Sequence, residues 1–120
     1  LVEAQLLRTV AHNEESASQS MDSARVRFVT LRDRWVRETL CVSSLTEIAE
    51  HPALLEIVDL GPRVIAWILD DLRRNEHLWF SALASLTGVN PITPDARGDF
   101  EEMRRQWLRW GEQNGFGRGA

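Results

Sequence analysis

Few residues of this 120-residue chain stand at spacings that could do chemistry. Cys41 is the lone cysteine, and His51 follows it across a predicted helix break. A thiolate beside an imidazole can act as nucleophile and base. Here no oxyanion element and no orienting Asn accompany the pair, and one Cys in a helical chain is ordinarily an inert packing residue. His12, His51 and His77 are not spaced as metal ligands, since no two fall at i, i+4. His77 reads as a turn residue, and His51 as a packed or capping one. Asp70–Asp71 at a helix end is too common a pattern to indicate Mg²⁺. Gly115, Gly117 and Gly119 precede no helix, so they do not make a phosphate loop. The expectation is a non-enzymatic chain with no catalytic residue, no metal and no cofactor.

Binding is the better prospect. Arg25, Arg27, Arg32, Arg34 and Arg37 crowd one predicted helix, opposed by Asp33 and Glu38. Such a face meets phosphate, an acidic partner or simply water, and a charge run is most often a solvated face. Five Trp residues are the other anomaly. Trp35, Trp79, Trp107 and Trp110 fall on apolar stripes and read as core, whereas Trp67 lies off the main stripe of its helix. Tryptophan suits interfaces because it combines a large apolar area with one donor. Trp67, Trp110, Arg27, Arg34 and Arg37 are therefore the candidate partner-binding residues.

Composition bounds these readings. The length suits one domain with a modest core. A 43% apolar and 27% charged composition is ordinary for a globular chain. A net charge of −4 argues against nonspecific nucleic-acid binding by the whole molecule. All 14 basic residues are Arg, a bias that base composition of the genome accounts for. A single Cys allows no internal disulfide and fits a reducing cytoplasm. No run reaches the roughly 18 apolar residues of a membrane span, so no membrane association is expected.

The elements that would position these residues are all helical. Residues 60–91 form the centre: two short amphipathic helices joined at Asn75–His77. Val64, Ile68 and Leu72, with Ile65 and Leu69 beside them, make the apolar face of the first, and Trp79, Leu83 and Leu86 that of the second. Gly88 and Pro91 stop the pair. Before it, residues 1–20 read as an extension, a short helix with Val2, Leu6 and Val10 followed by a polar linker over 13–20, with Met21 as a plausible start. Asp22–Ser23 would cap a helix over 24–40, whose buried stripe is Ala24, Phe28, Leu31 and Trp35. Ser44 with Glu47 matches a capping box. Pro52 opens a helix through Leu60, and its acidic residues, among them Glu56, are expected beside the basic helix. Asp99 with Glu102 repeats the capping pattern ahead of a last helix with Phe100, Met103, Trp107 and Trp110 on its seam. Gly115 ends that helix, Phe116 folds back on it, and residues 117–120 fray. The fold class is thus all-α, a compact bundle of about five helices over residues 21–116.

The run FVTLRDRWVRETLCVSSLTEIAEHPALLEIVDLG, followed by IAWILDDL, LWFSALASLTGVNPI, RGDFEEM and WLRWGEQNGF, resembles a family of small uncharacterised bacterial proteins. The match covers roughly residues 28–116 and rests on Trp–Glu–Thr, Ser–Ser, His–Pro, Thr–Gly and Trp–Gly elements in order. Leu40–Cys41, Val42 and Leu78 depart from its pattern. The central pair is also similar to a HEAT-type helical hairpin, which implies a scaffold presenting a face to a partner. Together these readings predict a small accessory or antitoxin-like subunit that binds a larger protein, with self-association also open. A nucleic-acid module using the Arg-rich helix is the alternative, and it requires steep salt dependence.

Overall fold

A computed structural model describes residues 2–116, with side chains described from Met21 onward. The described chain is all-helical, with six α-helices: α1 Val2–Thr39, α2 Leu45–Ala49, α3 Pro52–Asp59, α4 Ile65–Arg74, α5 Phe80–Thr87 and α6 Phe100–Gln113. Single 3₁₀ turns at Pro62–Val64 and Pro94–Ala96 lead into α4 and towards α6. Among the described residues no helix is long and apolar enough to cross a membrane.

The linker expected over residues 13–20 is not there. Helix α1 runs unbroken through it, and Asp22 and Ser23 lie within the helix rather than capping it. The stretch Asn13–Ser20 is polar, but it holds no Gly, Pro or β-branched residue. Extending an existing helix through such residues fixes one hydrogen bond per residue, with no new nucleation step. At 1.5 Å per residue, α1 is about 57 Å long. The expected stripe of Val2, Leu6 and Val10 and the expected fraying of 117–120 lie outside the described side chains and residues.

From Ala24 onward the apolar periodicity works as expected. Ala24, Phe28, Leu31 and Trp35 are all buried, one above the next on α1. Leu54 and Ile57 of α3 and Ile65, Ile68, Leu69 and Leu72 of α4 complete the core with Trp79, Leu83 and Trp107. An aromatic stack runs through it: Phe28 lies 5.7 Å from both Trp67 and Trp79, and Trp35 lies 4.7 Å from Trp79. Helix α3 packs against α1, and Glu56 receives Arg27 at 2.9 Å and Arg34 at 3.7 Å. The acidic segment therefore does lie beside the basic helix.

Local chemistry sets the helix ends. Ser44 Oγ accepts from Glu47 N at 3.3 Å, and Asp99 accepts from Glu102 N at 3.2 Å. Helix α5 stops at Gly88, whose φ of 73° is left-handed, a conformation that costs a side-chain-bearing residue energy. At the end of α6, Gly115 is left-handed and Phe116 N donates back to Gly111 O at 2.7 Å. Phe116 stacks on Trp110 at 5.8 Å, which is the predicted fold-back. The seam of α6 is narrower than expected. Trp107 is buried with Gly111, while Phe100, Met103 and Trp110 are only half-buried.

Candidate partner-binding site

A cleft of about 550 Å³ opens between the outer face of α1 and the end of α4. Its floor is polar and belongs to one buried residue, Asp71, only 4% exposed. Four side chains converge on this carboxylate. Trp79 Nε1 donates to Oδ2 at 2.7 Å, and His77 Nδ1 meets the same oxygen at 2.6 Å. Asn75 Nδ2 donates to Oδ1 at 3.1 Å, and Arg32 reaches Oδ1 at 3.4 Å. Burial pushes the Asp71 carboxyl upward, but the hydrogen bonds from His77 and Trp79 and the charges of His77 and Arg32 outweigh it and hold the group below the ordinary carboxylate range. An ionised carboxylate only accepts, so Nδ1 of His77 carries its proton and Nε2 is left without a partner among the described residues. This hub ties α1, α4 and the α4–α5 turn together.

An Asp-oriented imidazole has the geometry of a general base. Among the described residues no Ser, Thr or Cys lines the cleft with it. Cys41 is exposed, and no hydrogen bond joins it to His51 among the described residues. Both nitrogens of His51 are committed: Nδ1 accepts from Ala53 N at 3.0 Å to cap α3, and Nε2 faces Glu38 Oε1 at 2.9 Å. Burial acts to raise the Glu38 carboxyl, but the hydrogen bonds from His51 and Arg34 lower it overall. Among the described residues no group of three His, Cys, Asp or Glu side chains could hold a metal ion.

The cleft is the first of three adjoining hollows that share wall residues and together form a segmented trough. Val36, Leu40 and His77 pass from the cleft into a groove of about 270 Å³ that also takes in Val42 and Leu78. Ile48 and Leu78 then lead into a hollow of about 360 Å³ beside Leu45 and Phe80. Leu40 is 74% exposed and Leu45 69%, among the most exposed large apolar side chains of the described chain. They sit at either end of the turn that joins α1 to α2.

The residues predicted to bind a partner separate into three places. Trp67 and Arg37 line the cleft. Trp67 is half-buried, against Phe28 on one side and with Arg25 held 5.5 Å above its ring. Arg27 and Arg34 point away from the cleft and pair with Glu56, and Arg34 also with Glu38 at 3.2 Å. Trp110 of α6 does not line the cleft and is half-buried between Trp107 and Phe116. The hub itself was not anticipated. Its signal was available, since Asp71 falls at i+3 from Ile68 and i+7 from Val64, on the buried face of α4, with two N–H donors close behind it in His77 and Trp79.

No protein-family model matches the chain, no curated protein matches it, and no solved structure matches it.

Proposed function

We propose that this chain is a non-enzymatic protein-interaction module, an accessory or antitoxin-like subunit that docks a segment of a larger bacterial protein in the trough. The observation that carries this reading is the row of three adjoining hollows that make up the trough, from the cleft over Trp67 past Leu40 to Leu45 and Phe80. Apolar side chains that a monomer gains nothing by exposing lie along it, beside polar groups that could fix register. The rigid floor favours the same reading, because the Asp71 hub orders the binding face before any partner arrives and so lowers the entropic cost of association. A resemblance of α4 and α5 to a HEAT-type hairpin points the same way. The nucleic-acid alternative is less well supported, since Arg27 and Arg34 are tied to Glu56 and do not form a free stripe with Arg37.

The test is capture of a partner from the native host with wild-type, Leu40→Asp and Leu45→Asp chains, after nuclease treatment and in high salt. Both side chains are exposed, so the variants fold. The reading expects one stoichiometric protein with the wild type, lost with either variant. A partner retained equally by all three chains, or recovery of nucleic acid alone, would overturn it.

A further inference from the structure

Helix α1 carries a second row beside its core stripe. Arg25, Val29, Arg32, Val36 and Leu40 recur at i, i+4, i+7, i+11 and i+15 and face the cleft. The acidic side chains lining the cleft are already occupied. Asp33 is paired with Arg32 at 3.0 Å, Asp70 with Arg73 and Arg74, and Asp71 is the hub. Arg32 and Arg74 are neutralised in the process. Arg25 and Arg37 have no carboxylate partner among the described residues, and both line the cleft. The face is therefore locally positive although the chain is net negative. Its two unmatched charges are 12 positions apart on one helix, about 18 Å. Between them the α1 row is apolar at Val29 and Val36.

We infer that this face receives an acidic amphipathic helix of the partner protein, laid along α1, with carboxylates near its two ends on Arg25 and Arg37 and its apolar row on Val29 and Val36. This inference rests on the docking reading and names the chemistry of the partner. A helix fits because the row it must match has helical period and spans about three turns, and apolar rows of that kind interdigitate between helices. The charges set register and orientation, and the apolar contacts supply the affinity.

The test is an NMR titration of the full chain with a synthetic peptide of about 16 residues, a length that spans the row. The peptide carries Leu at helical spacing and Glu in its first and last turns, and its counterpart has Lys in place of each Glu. The Glu peptide is expected to give saturable shifts confined to the cleft face of α1 and to Trp67. Arg25→Gln and Arg37→Gln are each expected to weaken it by about fivefold, the size of an exposed ion pair, and Arg27→Gln, on the opposite side, to leave it unchanged. Equal binding of both peptides, an equal loss with Arg27→Gln, or no saturable shift at the cleft would overturn the inference. The two readings fail separately. If Leu40→Asp abolishes partner capture while Arg25→Gln and Arg37→Gln change neither capture nor peptide binding, docking stands and the acidic helix is wrong. If the Glu peptide behaves as expected but Leu40→Asp leaves capture intact, the trough reading fails and the anion-receiving face remains.

Discussion

Trp79 and Trp107 are both fully buried, but their indole N–H groups meet opposite surroundings. Trp79 donates to the Asp71 carboxylate in a hub that also holds His77, Asn75 and Arg32. Trp107 Nε1 has no hydrogen-bond partner at all among the described residues. Its neighbourhood is held by close packing instead. Gly111, one turn further along α6, lets Leu69 so near that a Cβ there would lie 2.9 Å from Leu69 Cδ1. The surroundings of Trp79 are thus positioned by directional bonds to a buried charge, and those of Trp107 by shape, while α6 is tied to the end of α4 one turn earlier by Arg104, which donates to Leu72 O at 2.9 Å and Asn75 O at 3.0 Å. Directional bonds fix angles and so suit the floor of a binding face. Packing fixes only distance, and it tolerates an unsatisfied donor at a cost of about 1–3 kcal/mol.

The contrast can be broken most severely at Asp71. Asp71→Ala leaves the buried Trp79 and half-buried His77 donors without an acceptor and Arg32 with Asp33 as its one remaining carboxylate among the described residues, and should cost about 3 kcal/mol in urea unfolding. The same group gives the hub an acid limit. Its folded pKa lies below its unfolded value of about 3.9, so its contribution is complete above that pH and is lost as pH falls through the lower folded value. Stability of the wild type relative to Asp71→Ala should therefore shrink as pH falls below about 4. A difference that instead persists at low pH would show that the hub acts through packing.

Matched substitutions sharpen the comparison. Trp79→Phe and Trp107→Phe remove similar volume, but only the first removes a hydrogen bond to a charged acceptor. Trp79→Phe should be the more destabilising by about 1.5–3 kcal/mol, and equal losses would refute the asymmetry. Gly111→Ala sets overpacking against Leu69, about 1–3 kcal/mol, against a gain of about 1 kcal/mol in helix propensity. A net loss near 1 kcal/mol in thermal or urea unfolding is expected. The smallest effect belongs to the surface. Arg27→Ala breaks an exposed pair with Glu56 and should change stability by no more than about 0.5 kcal/mol.

Much of the fold was legible because helical period is a strong local signal. The stripe from Ala24 to Trp35 and the face of α4 could be read one turn at a time. Ser44 and Asp99 as caps, Gly88 as a stop and the return of Phe116 are equally local. The linker over 13–20 was misread because polarity without a Gly or Pro breaker does not end a helix that a neighbouring segment has already nucleated. The candidate site was legible only in part. Arg27, Arg34 and Arg37 sit on one helix in sequence, but a helix distributes neighbouring positions around its circumference, and only Arg37 faces the cleft.

The sequence by itself determined the all-helical class, most helix ends and which stripes are buried, because each depends on residues within a few positions of one another. The tertiary structure alone decided that Asp71 meets Arg32 from 39 positions away and that Glu56 draws Arg27 and Arg34 off the binding face. It also decided that Trp67 walls a cleft while Trp110 packs away from it, between Trp107 and Phe116. Those outcomes depend on how whole helices are rotated and docked, and the pairing of charges across that docking is not written in the spacing of either partner.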